Sequence, residues 1–175
     1  MSDYQCYHLA YTYSLKQAIG YLKKGDLSKF EFDGDCINIY PTPTELFYDG
    51  ISIAAPDGTV SQETAARVID VLEHLEECVT GAYSWFSRLG PQYNELLSPA
   101  EKQSAAQALE TVYLLYRIDF GQTGWGHDPK PDRDGFTVSF TTDQRGCFCA
   151  DIISVKLSYA DRRPFAIEQW VEYFE

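Results

Sequence analysis

The sequence predicts an α+β fold, a mainly antiparallel sheet with helices packed on it, and three observations support this. Short segments that alternate apolar and polar residues flank turn-prone dipeptides, which is typical of strands joined as hairpins. Two longer segments, about 61–88 and 99–117, repeat apolar residues every three or four positions, as amphipathic helices do. No repeat, low-complexity tract or linker divides the 175 residues. We therefore expect a single domain over residues 1–175, with the two helices packed on the sheet.

The first third of the chain predicts strands and one short helix. Residues 5–13 place tyrosine and leucine at alternating positions, the period of a half-buried strand. Ser14 then caps a helix that Gly25 stops. An Asp-Gly turn within residues 30–40 predicts a hairpin, and residues 45–55 predict a further strand before a Pro-Asp-Gly turn.

Both longer helices begin with local capping signals. Ser61 opens the first helix, and Gly90-Pro91 should end it. The sequence Ser98-Pro99-Ala100-Glu101 combines an N-cap serine, a proline at the first helical position and a reciprocal glutamate. The second helix should therefore start there and run to about Arg117.

The last third of the chain predicts a long loop and a second hairpin. Residues 121–135 hold glycines, prolines and charges without periodicity, which is typical of a surface loop. Phe136, Val138 and Phe140 alternate with polar residues before another turn, so a hairpin should follow. Residues 165–173 fit either an edge strand or a last helical turn, and the sequence leaves both open.

Composition limits the classes of partner. Twenty-six acidic residues against fourteen basic ones leave a formal charge of -12, which repels phosphate backbones and anionic lipid. We therefore expect no nucleic-acid or membrane partner and favour a protein partner with a basic surface. Aromatic residues make up 15% of the chain, and tyrosines that reach the surface suit protein contact.

The cysteines and the N-terminus indicate a cytoplasmic protein. The cysteine count is odd and no signal peptide is visible, so we expect free thiols in a reducing compartment. Cys147-Phe148-Cys149 supplies half of a soft-metal site, but neither a second cysteine pair nor a nearby histidine completes it. We expect neither a metal ion nor a cofactor. The five cysteines are Cys6, Cys36, Cys78, Cys147 and Cys149.

The sequence lacks the common catalytic motifs. It contains no Gly-x-Ser-x-Gly elbow, no phosphate loop, no His-Glu-x-x-His zinc motif and no Cys-x-x-Cys pair. We therefore assign no catalytic residue. An enzyme remains an alternative, because a site of Cys, His and carboxylate groups can assemble from distant residues.

A loop with an aromatic anchor is the first candidate site. Tryptophan is enriched at binding hot spots, and one imidazole and three carboxylates follow Trp125 in this loop. The loop could contact a basic partner, bind a hard cation or be merely solvated, but the calcium-loop pattern fails at both ends, at Lys130 and Thr141. The residues that we expect to contact a partner are Trp125, His127, Asp128, Asp132 and Asp134.

An acidic stripe on the first long helix is the second candidate site. Asp70, Glu73 and Glu77 are separated by three, four and seven positions, which places them on one helical face. The stripe could meet a basic partner or form an ordinary solvated face.

The order of these elements resembles known families. The strands, the Pro-Asp-Gly turn, a helix from Ser61, a second helix and a hairpin opening at Asp134-Gly135-Phe136 resemble small uncharacterised bacterial α+β domains over residues 45–160. Several of these families are grouped with immunity proteins that neutralise polymorphic toxins. The resemblance implies a cytoplasmic binding protein, and we expect an immunity protein that occludes a toxin. A small hydrolase or transferase, and a housekeeping scaffold or oligomer subunit, remain alternatives.

Overall fold

The computed structural model describes residues 13–41, 50–93, 113–121, 134–142 and 149–173. Across these ranges the chain forms three α-helices, one short 3-10 helix and a seven-stranded sheet. The helices are α1 (Leu15–Lys24), α2 (Gln62–Glu73) and α3 (Leu75–Tyr93), with the 3-10 helix at Leu27–Lys29. The strands are β1 (Glu31–Phe32), β2 (Cys36–Ile39), β3 (Gly50–Ala54), β4 (Tyr113–Phe120), β5 (Gly135–Thr142), β6 (Cys149–Ser158) and β7 (Pro164–Tyr173).

The sheet follows chain order, from β1 at one edge to β7 at the other. Every neighbouring pair is antiparallel except β3 and β4, which run parallel. Parallel neighbours need a long crossover, and the segment between these two strands contains α2 and α3. The predicted α+β class with a mainly antiparallel sheet is therefore confirmed.

One face of the sheet carries the hydrophobic core. Ile51, Ile118 and Val138 lie in register on neighbouring strands and form part of an apolar row, each at most 1% exposed. The helices cover this face, and the fully buried ring of Phe86 on α3 has its centroid 5.1 Å from that of Phe140 on β5. Burial of this apolar surface is the main term that stabilises the arrangement.

The predicted short helix is confirmed as α1. The Ser14 hydroxyl accepts a hydrogen bond from the Gln17 amide, and the Gln17 side chain accepts one from the Ser14 amide, which makes a capping box. Gly25 ends the helix in the left-handed conformation, with φ 67°, and its amide donates to the Leu22 carbonyl.

The helix predicted over 61–88 is divided into α2 and α3. Ser61 caps α2 as predicted. The helix breaks at His74, whose amide is shared between the carbonyls of Asp70 and Val71 and whose Nδ1 lies 2.8 Å from the Asp70 carbonyl oxygen. A side chain that enters the backbone hydrogen-bond ladder bends or interrupts a helix, so one long period reads as two shorter elements.

Gly90-Pro91 does not end the helix. The last residue of α3 is Tyr93, so both residues lie inside the helix near its end. A proline removes one backbone hydrogen bond and distorts a helix, and the turn that contains it can still form.

The second predicted helix, 99–117, is wrong over its last residues. Residues 113–117 belong to strand β4, while 99–112 lie outside the described ranges. Ile118 and Phe120 of this strand lie in the core, and β4 pairs with β3 on one side and β5 on the other. This tertiary pairing overrides the helical spacing of the tyrosines in the segment.

Most strand predictions that fall in the described ranges are confirmed. The first hairpin is β1–β2, and β5 and β6 form the second, although its turn lies outside the described residues. Residues 165–173 belong to the edge strand β7, which decides between the two alternatives. Of the strand predicted over 45–55, Gly50–Ala54 is confirmed as β3. The strand predicted over 5–13 lies outside the described ranges, apart from Tyr13.

Gly50 begins β3 at a position that requires glycine. Its φ is 83°, and a Cβ there would lie 2.7 Å from the Ile39 carbonyl oxygen and 2.7 Å from the Tyr40 ring. Any other residue would strain the backbone and clash with β2.

Candidate functional site

Most of the predicted loop site lies outside the described residues. This applies to Trp125, His127, Asp128 and Asp132. Asp134 is described, is exposed, and lies just before β5, where its backbone carbonyl accepts a hydrogen bond from the Tyr159 amide at 3.0 Å. That bond ties the backbone of Asp134 to the β6–β7 turn.

The acidic stripe pairs with cations of the same chain. Glu73 forms an ion pair with Lys23 of α1, with 2.6 Å between the charged atoms. Arg162, in the β6–β7 turn, contacts Asp70 at 2.9 Å and Glu77 at 3.8 Å. Asp70 and Glu77 therefore share one cation, Arg162, whereas Glu73 pairs with another. These contacts join α2 and α3 to α1 and to the β6–β7 turn.

A cysteine and a histidine lie beside this stripe. Cys78 is 1% exposed, and burial raises the pKa of its thiol to about 11, an effect that the nearby Arg162 charge only partly opposes. His74 lies with its Nδ1 3.4 Å from a carboxylate oxygen of Asp70. The thiol is protonated at neutral pH, so these groups do not form an activated cysteine nucleophile.

The opposite face of the sheet is polar and buried. We call this group of side chains the polar face, and it consists of Ser52, Arg117, Asp119, Thr137, Ser139, Thr141 and Ser154, each at most 8% exposed. The Arg117 guanidinium donates from Nε to Asp119 at 2.7 Å, and the hydroxyls of Ser139 and Ser154 are 2.8 Å apart. The Thr137 hydroxyl has no hydrogen-bond partner among the described residues.

The sequence interpretation missed the polar face in part because residues 113–117, the first part of β4, were assigned to a helix. The alternation of Arg117, Ile118, Asp119 and Phe120 is the signal that could have found it. Chemically, the buried guanidinium and carboxylate neutralise each other, so the pair orders the sheet and supplies neither a free base nor a free acid.

An exposed phenylalanine lies at the β1 edge, beside the turn that contains Asp57 and Gly58. Phe32 is 52% exposed, and its ring comes within 3.5 Å of where a Cβ on Gly58 would stand. The Ala55 amide, just before the turn at residues 56–58, donates to the Asp35 carbonyl at 2.7 Å, which ties the hairpin to the segment before this turn. We call the hairpin and this turn together the acidic hairpin surface, and its members are Glu31, Phe32, Asp33, Asp35 and Asp57. Asp57 lies on the Phe32 side, whereas the register places Glu31, with Asn38 and the Asp33 carboxylate that it binds, on the other side of β1.

Hydrogen bonds hold two of these carboxylates in place. Partial burial raises the pKa of Asp33, but the Asn38 side chain and two hairpin amides donate to its carboxylate and bring the pKa below its usual value. The hydroxyl and the amide of Thr59 donate to Asp57 at 2.8 and 3.1 Å and lower the pKa of Asp57. Both groups are therefore ionised and oriented before any partner arrives.

A cleft between α3 and the sheet is small. Its volume is about 230 Å³, below the roughly 300–1,000 Å³ typical of small-molecule sites. The residues that line it are Val79, Thr80, Tyr83, Ser84, Leu115 and Phe140.

Within the described ranges, no group of three or more His, Cys, Asp and Glu side chains could hold a metal ion. Nor does any helix in the described part of the chain have the length and apolar character needed to cross a membrane.

Comparison with known proteins identifies no relative of this chain. Neither a protein-family model, nor a curated protein, nor a solved structure matches the chain.

Proposed function

We propose that the protein is an immunity protein that acts in the cytoplasm and neutralises a toxin by direct binding. The toxin would present a basic surface, and the interaction would need no cofactor, metal ion or catalytic residue. The formal charge of -12 supports this class of function, because it speeds association with a basic partner.

The acidic hairpin surface carries the proposal. An aromatic side chain such as Phe32 can anchor a contact, because binding hot spots centre on a large apolar group from which water is excluded. A Lys or Arg of the toxin could lie over its ring while Asp57, next to Gly58 at that ring, accepts a charge-assisted hydrogen bond. Because Asp33 and Asp57 are already held by internal hydrogen bonds, binding them costs little further ordering.

Two observations favour binding over catalysis. The Cys78 thiol is buried and neutral at physiological pH, so it is a poor nucleophile. Among the described residues, the cleft beside α3 has a volume of about 230 Å³, smaller than the pockets that usually enclose substrates.

The two surfaces predicted from the sequence have different places in this proposal. The loop with Trp125 remains a proposed second contact, next to Asp134. The acidic stripe already has Lys23 and Arg162 as partners, so we propose that it mainly contributes long-range attraction.

Growth rescue would test the proposed function. A toxin domain encoded beside the gene is expressed in a sensitive host, with and without this chain, and the wild-type chain should restore growth. In a binding assay with the same purified toxin domain, Phe32→Ala should raise the dissociation rate about thirtyfold, the effect of about 2 kcal/mol. Asp57→Asn should chiefly slow association and weaken its dependence on salt.

Two matched variants serve as controls. Phe32→Tyr keeps the ring and should keep the affinity, while Glu76→Gln removes an exposed charge on α3 and should change association less than Asp57→Asn. If no neighbouring gene product is toxic, the proposed class of function is wrong. If Phe32→Ala binds the toxin as tightly as wild type, the proposed binding surface is wrong.

A further inference from the structure

Strand β7 leaves a long sheet edge without a partner strand in the described part of the chain. It has ten residues, and it pairs only with β6 among the described strands. The opposite edge, β1, has only two residues. Proteins usually keep exposed edge strands short or covered, because a row of unpaired amides and carbonyls accepts another strand. Among the described strands, β7 is therefore the edge that offers the longer row of backbone groups to a further strand.

Two side chains of β7, Ile167 and Glu168, extend the two faces of the sheet. Ile167 lies in register with Val155 and packs against the core, so it continues the apolar row at the edge. Glu168 lies in register with Ser154 on the polar face and is half exposed, although Lys156 reaches to 3.5 Å from its carboxylate. A strand added at this edge would place apolar side chains beside Ile167 and its remaining side chains beside Glu168.

The charge of the strand selects the occupant. Residues 164–173 contain Glu168 and Glu172 but no Lys or Arg. We propose that β7 binds, as an added strand, an extended segment of a partner protein in which basic residues alternate with aliphatic ones. The backbone supplies hydrogen bonds, Glu168 pairs with a basic residue, and the aliphatic residues lengthen the apolar row at Ile167.

A second copy of this chain fits the same edge poorly. In the two antiparallel self-pairing registers with the greatest overlap, Glu168 would stand either directly opposite its own copy or diagonal to it. Like charges opposed in this way destabilise a strand pair, whereas a basic segment relieves the same charge.

This surface is distinct from the acidic hairpin surface. Strands β1 and β7 are the two edges of a seven-stranded sheet, so at a strand spacing of about 4.8 Å they are separated by nearly 30 Å. The inference therefore goes beyond the proposed function, and Phe32 variants leave it untouched.

A designed peptide tests strand addition with the full chain. The probe is a blocked seven-residue peptide of alternating lysine and valine, and two further probes carry N-methyl groups on all lysines or on all valines. Charge is equal in all three probes, but a strand presents only one alternate set of amides to its neighbour. We expect the unmodified peptide to bind and protect β7 amides from hydrogen exchange, and one methylated probe to bind about tenfold more weakly or worse.

Charge reversal on the protein provides the second arm of the test. Glu168→Lys should weaken peptide binding at least about tenfold, whereas Glu76→Lys, with the same change in net charge, should weaken it much less. The proposal is overturned if the peptide does not bind, if all three probes bind equally, or if protection appears at the acidic hairpin surface instead. It is also overturned if the chain alone is a dimer whose β7 amides are already protected.

Discussion

Truncation of Phe86 should destabilise the fold far more than the same truncation of Phe32. Phe86 is fully buried, with ring centroids 4.9 Å from Tyr83 and 5.1 Å from Phe140, so Phe86→Ala leaves a cavity between α3 and the sheet. Such a change costs about 3–5 kcal/mol. For a chain of this size that lowers the melting temperature by about 6–20 °C. Phe32 is 52% exposed, so Phe32→Ala should cost at most about 1 kcal/mol.

Urea and thermal unfolding followed by circular dichroism would measure both variants. Phe86→Leu, which removes less volume, keeps the comparison possible if Phe86→Ala does not fold. Equal losses for the two alanine variants would refute the packing of α3 on the sheet. A large loss for Phe32→Ala would show that this ring belongs to the core and is not available to anchor a partner.

Three other predictions concern a thiol, an ion pair and two glycines. Cys78 should resist alkylation at pH 8 in the folded chain, because folding raises the pKa of its thiol from 9.0 to about 11. The free energy of unfolding of wild type, relative to that of Cys78→Ala, should therefore be constant below pH 9 and fall from pH 9 to 11, which denaturation at each pH would measure. Lys23→Ala, which breaks the exposed pair with Glu73, should cost less than about 1 kcal/mol in urea titrations, and most of that difference should vanish in 1 M salt. Gly50→Ala should destabilise the fold by about 1–2 kcal/mol or more, because φ is 83° and the new Cβ would meet the Ile39 carbonyl. Gly20→Ala, in open space on α1, should instead stabilise it by up to about 1 kcal/mol. Similar melting temperatures for these two variants would contradict the backbone conformation at Gly50.

Local sequence signals correctly predicted the helix ends that depend on residues close in sequence. Ser14 and Ser61 cap helices, and Gly25 ends one, because the hydrogen bonds involved span only a few residues. The same reasoning failed for β4, since the spacing of its tyrosines also fits a helix. Its pairing partners, β3 and β5, are fixed only by the complete sheet.

The candidate sites depend on contacts that a linear sequence does not display. Asp70 meets Arg162 across 92 positions of sequence, so its role as a tie between helix and sheet could not be predicted from the spacing of the stripe. Strand alternation would place Ser139 in solvent, yet it is 2% exposed on the polar face. The exposure of Phe32 could not be predicted, because the hairpin pattern indicates which strands pair but not how much of each side chain is covered.

The parallel junction between β3 and β4 divides the sheet into two meanders, and joining them should be slower than pairing the strands within either one. Strands β4 to β7 pair with their neighbours along the chain, whereas β3 meets β4 only after a loop that includes α2 and α3 has closed. During synthesis the N-terminal meander leaves the ribosome first but lacks this neighbour. Ile51 and Ile53, at most 1% exposed in the folded chain, therefore lie on an open strand edge until β4 emerges, and the nascent chain is most prone to aggregation in that interval.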